Sequence, residues 1–369
     1  MITNRVSMTD ILREAVKQRA SDIHITVESR PRVRVDGMIR ELKNFPVLTP
    51  DLTKQLLFGI MKERYRKELE ERGQVDFSFG IPGVGRFRVN VFYQRGTIAG
   101  VLRSLPSRIP NHRELGLPDN IIELCHKSMG LVLVTGPTGS GKSTTLAAMI
   151  NYILENFPHH VLTIEDPIEY VFHHKKGIVN QREVGVDAPD FNQALRAALR
   201  EDPDVIMVGE MRDVETIETA IRAAETGHLV FGTLHTNTAI STITRIVDVF
   251  PSEKQEQIRV QLSFTLAGVI SQRLVPRIGG GRVLAYELLI LNNAIRNLIR
   301  ENKLQQVYAL MQSGQSETGM QTMNQSLARL YRSNLITLQD AFRYSPDPIE
   351  LAKLLRIPLS QVSNLIGEV

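Results

Sequence analysis

The apolar residues of this chain follow two successive patterns. Up to about residue 105, short runs alternate apolar and polar positions; in Arg86–Phe92, for example, Phe87, Val89 and Val91 are separated by polar side chains. This alternation predicts half-buried strands. After about residue 119, continuous apolar runs alternate with helical spacing, which is typical of parallel strands covered by helices on both faces. The pattern therefore predicts an α+β segment followed by an α/β segment.

The first segment combines strands with helices. Residues 9–19 have helical apolar spacing, and Thr9 or Asp10 is the expected N-terminal cap. Residues 50–72 are charged and amphipathic, which predicts one helix or a pair. The expected strands are 23–27, 32–35 and 86–92, with the arginines of the last two on one face, and the expected turns are Asp36-Gly37 and Pro82–Gly85.

One apolar run leads directly into a glycine-rich segment. Residues 131–134 are followed by Gly136-Pro137-Thr138-Gly139-Ser140-Gly141-Lys142-Ser143-Thr144, and helical spacing begins at Thr145. A strand, a glycine-rich turn and a helix in this order are the context in which Gly-x-x-x-x-Gly-Lys-Ser/Thr binds phosphates. The glycines let backbone N–H groups turn inward, Lys142 can bridge the outer phosphates, and the Ser143 hydroxyl can ligate magnesium. The segment predicts binding of a nucleoside triphosphate, with a chance Gly/Ser turn as the alternative.

Two later strands end in acidic residues. These residues are Glu165, Asp166 and Glu169 after the run 161–164, and Glu210 after the run 205–208. Open α/β sheets bind ligands at the carboxyl ends of their strands. A carboxylate there can orient the water that attacks the γ-phosphate of a nucleoside triphosphate. Glu210 is at the position where enzymes that cleave such triphosphates hold magnesium. The alternative for both is an acidic surface exposed to solvent.

Two histidines bracket a fourth apolar run. His228 precedes residues 229–233 and His235 follows them. Because they stand at opposite ends of a predicted strand, a shared zinc site is not expected. At the carboxyl end, His235 can sense the γ-phosphate, as a neutral donor or as a cation near physiological pH.

Composition limits the class of protein. A length of 369 residues favours two domains, and the prolines of residues 104–118 predict a linker between them. No apolar stretch is long enough to span a membrane and residues 1–7 lack a secretory signal, so a cytoplasmic protein is expected. The single cysteine, Cys125, excludes an internal disulfide and a cysteine zinc cluster.

The charge is unevenly distributed. Residues 1–106 contain 19 Lys and Arg against 12 Asp and Glu, whereas the rest of the chain contains 25 against 28. A basic first segment can bind nucleic acid, acidic lipid or a neighbouring subunit's phosphates, and it can also be a solvated surface. No recognised DNA-binding motif and no basic run with interleaved aromatic residues occurs, which argues against nucleic acid.

These motifs together resemble the secretion ATPase superfamily, whose members power type II secretion and type IV pili. The matching blocks are the phosphate-binding segment, the acidic box 163–169, the strand that ends at Glu210 and the histidine box 226–236. The segment Ala294–Glu301 matches the C-terminal helix motif of the retraction branch of this family. A single cysteine excludes the tetracysteine zinc module of the assembly branch, and no long extra N-terminal domain is expected.

The resemblance implies a fold, an activity and partners. It implies a PAS-like α+β domain at residues 1–105, a linker at 106–118 and a RecA-like P-loop ATPase domain at 119–369 that is helical from about 291. It implies a homohexameric ATP-hydrolysing motor for pilus retraction, with ATP or ADP and Mg²⁺ as cofactors. The implied partners are an inner-membrane pilus platform protein and an accessory retraction ATPase, without nucleic acid and with membrane contact only through partners.

The resemblance also assigns roles to residues. Glu169 is the expected catalytic base, Lys142 and His235 complete the catalytic set with Glu210, and Ser143 and Glu210 are expected to hold magnesium. The expected nucleotide contacts are Gly136, Pro137, Thr138, Gly139, Ser140, Gly141, Lys142, Ser143, Thr144, Arg88, Arg103 and His228.

Three alternative functions stay open from the sequence. A nucleic-acid translocase would bind DNA with a strong dependence on salt and would hydrolyse ATP faster when bound. A nucleotide-gated scaffold would bind ATP without turning it over. A pilus-assembly or accessory retraction ATPase would share most of the motifs and differ in its deletion phenotype.

Overall fold

The computed structural model describes residues 6–35, 37–106, 108–314, 318–358 and 360. They form two compact units. The first contains the described residues up to Arg108 and the later segment Pro167–Val171, and the second contains Ile109–Asp166 and the described residues from Phe172 onward. Asp36 of the expected Asp36-Gly37 turn lies outside the described residues. Across these ranges, no helix combines the length and the apolar character needed to cross a membrane.

The first unit is built on an antiparallel sheet. Its elements are α1 (Met8–Lys17), β1 (Asp22–Ile25), β2 (Arg32–Val35), β3 (Met38–Glu41), α2 (Pro50–Phe58), α3 (Glu63–Arg72), β4 (Gln74–Ile81), β5 (Gly85–Gln94) and β6 (Thr97–Leu105). The strand order is β3-β2-β1-β6-β5-β4. Of the two arrangements expected over residues 50–72, one helix or a pair, the structure has the pair, α2 and α3. The expected alternation is confirmed in β5, where Phe87, Val89 and Val91 are buried and Arg88 is exposed.

The start of α1 differs from the expectation. Ser7, and not Thr9 or Asp10, is the N-terminal cap, and its hydroxyl accepts a hydrogen bond from the Asp10 backbone N–H at 3.2 Å. The predicted caps are wrong because Met8 is apolar, packs in the core and belongs to the first turn of the helix. Thr9 and Asp10 therefore fall inside the helix.

The second unit contains a sheet of seven strands. They are β7 (Gly130–Thr135), β8 (His160–Glu165), β9 (Ile178–Glu183), β10 (Val205–Val208), β11 (Leu229–Leu234), β12 (Leu266–Pro276) and β13 (Arg282–Ile290). The order is β13-β12-β7-β11-β10-β8-β9. The four strands expected from apolar runs are confirmed as β7, β8, β10 and β11, and they pair in parallel.

The sheet departs from the expectation at its two edges. β13 runs antiparallel to β12, so the sheet is mixed and not purely parallel. The apolar pattern predicts none of β9, β12 and β13. β9 is a polar edge strand in which Ile178 and Asn180 are exposed. β12 follows a helix without an intervening turn, so its apolar run reads as a continuation of that helix.

Helices cover both faces of this sheet. They are α4 (Asp119–Ile122), α5 (Lys142–Asn156), α6 (Phe191–Ala198), α7 (Val214–Glu225), α8 (Ala239–Asp248), α9 (Ser252–Thr265), α10 (Asn293–Arg300), α11 (Leu304–Ser313), α12 (Met323–Arg332), α13 (Leu338–Arg343) and α14 (Pro348–Leu355). Leu131 and Leu133 of β7 pack in the cluster that includes residues of α6 to α11, and Val132 and Val134, on the opposite face, are also fully buried. Burial on both faces explains why these strands are continuous apolar runs.

Candidate active site

The glycine-rich segment joins the carboxyl end of β7 to the amino end of α5. Gly136, Gly139 and Gly141 have φ of +143°, +79° and +91°, a region that favours glycine. At Gly136 a Cβ atom would lie 2.4 Å from the carbonyl oxygen of Gln272 and 2.6 Å from Ser140 Oγ. The loop therefore needs glycine at this position both for its backbone conformation and for the space around it.

Lys142 is the first residue of α5, and its ammonium group is held over the loop. Its Nζ donates to the carbonyl oxygens of Gly136 at 2.8 Å and Pro137 at 3.1 Å. The N-terminal cap of α5 is Gly141, which has no side chain to occupy the first-turn N–H groups, and this turn contains no acidic residue. The positive end of the helix dipole, the N–H groups and the ammonium of Lys142 suit a polyphosphate.

The other predicted chemical groups of the second unit lie along the same edge of the sheet. β11, β10 and β8 follow β7 in that order, and all run parallel. Their carboxyl ends carry His235, Glu210 and Glu165-Asp166. The structure therefore brings these residues to one edge with the glycine-rich loop, which is where open α/β sheets bind ligands.

Glu210 is at the centre of an ion-pair cluster. Its Oε2 accepts a hydrogen bond from Arg212 Nη2 at 2.6 Å, and its Oε1 lies 3.0 Å from His235 Nε2. Burial raises the pKa of the Glu210 carboxyl, but the hydrogen bond and charge of Arg212, followed by those of His235, outweigh this effect and leave the pKa below its usual value. Glu210 is thus kept ionised and oriented at the edge of the sheet.

Arg212 is a member of this cluster that sequence reasoning missed. It lies two residues after Glu210, and its pKa is raised first by the hydrogen bond and charge of Glu210 and, to a smaller extent, by the charge of Asp166. A cation so close in sequence to the expected magnesium acid was the available signal. Arginine is suited to the role because its planar fork can contact both carboxylate oxygens.

The three carboxylates at the end of β8 and just after it have different surroundings. Glu165 is 7% exposed, and its Oε1 accepts hydrogen bonds from Thr163 Oγ1 at 2.6 Å and Gln181 Nε2 at 3.0 Å. Asp166 is exposed. Glu169 is half-buried and belongs to the segment Pro167–Val171 that clusters with the first unit. Glu165 therefore braces the strand end, whereas Asp166 and Glu169 are accessible to solvent.

The segment that carries Glu169 is attached to the sheet of the first unit. The carbonyl oxygen of Ile168 accepts a hydrogen bond from Arg86 Nε on β5 at 3.1 Å. Arg86 also donates from Nη2 to Ser78 Oγ at 2.7 Å, which fixes its guanidinium. An arginine of the basic strand thus holds the backbone next to the expected catalytic base.

Arg88 and Arg103 lie opposite each other on β5 and β6. Arg103 Nε donates to Asp22 Oδ1 at 2.9 Å, and Arg88 is exposed. Burial raises the pKa of Asp22, but hydrogen bonds from Ser21 and Arg103 outweigh it and hold that pKa below its usual value. The ionised Asp22 orients Arg103 on the sheet, next to Arg88.

His228 stands apart from the rest of the site. It precedes β11 at the amino end of the strand, and its Nδ1 lies 3.0 Å from the carbonyl oxygen of Ala223. A strand of the length of β11 separates its two ends by about 20 Å. Within one chain, the structure therefore does not bring His228 to the glycine-rich loop.

The segment Ala294–Glu301 forms most of α10. Ile295 and Ile299 are fully buried, and Arg296 donates to the carbonyl oxygen of Phe264 at 2.9 Å. Burial lowers the pKa of Arg296. The Arg300 guanidinium lies 5.5 Å from the centre of the Phe264 ring, which is 63% exposed. The apolar face anchors the helix, and Arg296 is bonded to the end of α9.

Comparison with known proteins places this site in a family. The profile of the Type II/IV secretion system protein family matches residues 2–343. The Type IV pilus retractation ATPase PilT of Pseudomonas aeruginosa is 52% identical over 91% of this chain and 97% of its own length. The Type IV pilus ATPase PilU of the same organism is 39% identical over 94% of this chain and 91% of its own length.

A solved structure is also similar. The crystal structure of the pilus retraction motor PilT with bound ADP superposes with a TM-score of 0.90, at 66% identity, over 94% of this chain and 99% of that one. This likeness confirms the predicted RecA-like P-loop core preceded by a smaller α+β domain. Because the family profile spans well over half of the sequence, the chain belongs to the Type II/IV secretion system protein family.

Proposed function

We propose that the chain is an ATP-hydrolysing motor that powers retraction of type IV pili, and thereby twitching motility. The observation that carries this proposal is the 0.90 TM-score to the ADP-bound pilus retraction motor PilT over 94% of the chain. The glycine-rich loop, Glu210 and His235 lie at one edge of the sheet, and this set of groups suits the binding and hydrolysis of ATP. The chain is 52% identical to the pilus retraction ATPase PilT and 39% identical to the pilus ATPase PilU, which favours the retraction motor.

We propose a task for each of the predicted site residues. The N–H groups of the loop and the Lys142 ammonium bind the phosphates, and Glu169 accepts a proton from the attacking water. Arg212 and His235 keep Glu210 ionised. Ser143 and Glu210 are the groups that would hold Mg²⁺, which supplies positive charge to the phosphate oxygens when it is bound.

The assembly and location are part of the same proposal. We infer that the motor is a homohexamer at the cytoplasmic face of the inner membrane, where it acts on a pilus platform protein and with an accessory retraction ATPase. Residues 1–105 would form the PAS-like domain, 106–118 the linker and 119–369 the ATPase domain. Arg88, Arg103 and His228 stay predicted nucleotide contacts; for His228, whose place is remote from the loop of its own chain, a neighbouring subunit would supply the nucleotide.

The enzymatic part is tested by ATP turnover of purified variants. Lys142→Ala and Glu210→Ala should lower turnover by at least about a hundredfold, because each removes charge that acts on the phosphates. Glu169→Gln should lose hydrolysis but keep ADP binding, since it alters only the group that activates water. Lys254→Ala, an exposed residue of α9, is the control and should behave as wild type. Full hydrolysis by Glu169→Gln would refute the role given to that residue.

The cellular part is tested by deletion. Loss of a retraction motor should leave abundant surface pili that do not retract, and wild type but not Glu169→Gln should restore twitching. Cells without surface pili would indicate an assembly ATPase instead. Loss of twitching in cells whose pili are still depolymerised by a second retraction ATPase would indicate an accessory role.

A further inference from the structure

Strand β12 contacts the glycine-rich loop on both of its sides. Before the loop, Thr135 Oγ1 at the end of β7 is 2.8 Å from Ser271 Oγ, and both residues are fully buried. After the loop, Gln272 Nε2 donates to Thr145 Oγ1 in the first turn of α5 at 2.7 Å, and these residues are 1% and 2% exposed. Two consecutive residues of one strand thus hold both ends of the loop.

The backbone of β12 also sets the space beneath the loop. The Gln272 carbonyl oxygen is the atom that a Cβ at Gly136 would meet at 2.4 Å, so the first glycine of the loop rests directly on this strand. Leu274 packs near Gly141, where a Cβ would be in ordinary contact at 3.8 Å. β12 therefore lies against both ends of the loop, at Gly136 and at Gly141.

The strand itself is fixed in position. β12 pairs with β7 on one side and along nine registered residues with β13 on the other. Ser271 lies opposite Glu287 of β13, whose buried carboxylate accepts a hydrogen bond at 2.7 Å from the backbone N–H of Ala239, the first residue of α8. The backbone of β12 cannot shift without disturbing two neighbouring strands, so the strand is a rigid support for the loop.

We propose that Ser271 and Gln272 are positioning residues of the nucleotide site, which hold the phosphate-binding loop in its binding geometry through Thr135 and Thr145. Neither residue needs to touch the nucleotide. Their effect is that the loop is already ordered before a phosphate arrives, so less binding energy is lost in arranging it. In the part of the chain that the structure describes, Gln272 Oε1 has no hydrogen-bond partner, so the Thr145 bond is what orients this amide.

ADP affinity measured by calorimetry on the full chain tests this proposal. Gln272→Met and Thr145→Val keep the volume of the side chains but remove the bond, and each should weaken ADP binding roughly three- to tenfold. The double variant should lose no more than either single variant, because both remove the same interaction. Thr145→Ser retains the hydroxyl and should restore wild-type affinity. If Gln272→Met does not fold, Thr145→Val removes the same hydrogen bond from its other partner, and Ser271→Ala removes the contact between Ser271 and Thr135.

A matched control separates positioning from a general loss of stability. Ser326→Ala removes a hydroxyl that is as buried as that of Ser271. The Ser326 hydroxyl accepts a hydrogen bond from the backbone N–H of Tyr286. Tyr286 lies opposite Gln272 on β13, one strand farther from the loop. It should lower the melting temperature but change ADP affinity less than twofold. Wild-type affinity in Gln272→Met and Thr145→Val, or losses that multiply in the double variant, would overturn the proposal.

The kinetic consequence rests on the proposed ATPase function, whereas the ADP measurement does not. If Ser271 and Gln272 position the loop as proposed, Gln272→Met should lower kcat as well as raise KM. Ser326→Ala should change neither quantity per folded molecule. A wild-type protein that binds ADP but never hydrolyses ATP would contradict the motor and leave the affinity comparison intact. The two failures are therefore distinguishable.

Discussion

Substitution of Gly136 by alanine isolates the geometric requirement of the phosphate-binding loop. The added Cβ would lie 2.4 Å from the Gln272 carbonyl oxygen, a backbone atom that cannot rotate away, at a φ of +143°. Gly139 in the same loop is the matched control, because its φ of +79° is also unfavourable for alanine but no atom lies within 4 Å of the added Cβ. The two variants differ mainly in the steric clash.

The magnitude follows from the two costs. An unfavourable backbone conformation costs on the order of 1–3 kcal/mol, and both variants bear it. Overpacking against a fixed neighbour adds about 1–3 kcal/mol, which only Gly136→Ala bears. If the loop relieves this clash by leaving its binding geometry, ADP affinity should fall roughly five- to a hundredfold further in Gly136→Ala than in Gly139→Ala, at about tenfold per 1.4 kcal/mol.

The assay is calorimetric titration with ADP, accompanied by thermal unfolding of both variants. The expected result is a melting temperature above the titration temperature for both proteins and a clear difference in ADP affinity between them. Equal affinity in Gly136→Ala and Gly139→Ala would show that the loop tolerates the clash, and that its contact with β12 does not control binding. That result would also weaken the positioning role assigned to Gln272.

Two further predictions concern ionisable groups. Arg212→Ala should raise the pKa of Glu210, since it removes the hydrogen bond and charge that hold this pKa down, and should therefore move the acid limb of the ATPase pH profile upward. The exposed Arg222 of α7 is the control, and Arg222→Ala should not move this limb. For Glu287, burial raises the pKa above its ordinary 4.5. The folded state holds that proton more tightly, so wild type should be most stable relative to Glu287→Gln below about pH 4.5 and lose that advantage as the pH rises through the folded-state pKa. Denaturant titrations would contradict this if the difference in the free energy of unfolding between the two proteins were the same at every pH.

The parts of the fold that the sequence predicts are those with a local cause. β7, β8, β10 and β11 are predicted because burial on both faces requires continuous apolar residues. The alternation of β5 and the helical character of residues 50–72 are predicted by their periodicity alone, whereas the division of that segment into α2 and α3 is not. β9 and β12 are not, because a polar edge strand and a strand that directly continues a helix have no pattern of their own.

The site divides in a similar way. The glycine-rich loop is recognisable because its glycines, Lys142 and Ser143 are adjacent in the chain and act together. Glu210 and His235 are recognisable because each follows an apolar run. Their 3.0 Å contact depends on strand order, which no single run contains.

The sequence by itself predicted a phosphate-binding loop on an α/β core, because such a loop is built from consecutive residues. The tertiary structure decided what supports and charges that loop. Ser271 and Gln272 follow the loop by more than a hundred residues and reach it only because β12 pairs beside β7. Contacts of this kind arise from sheet topology, which makes neighbours of segments that are distant in the chain. The local pattern of apolar and polar residues therefore cannot predict them.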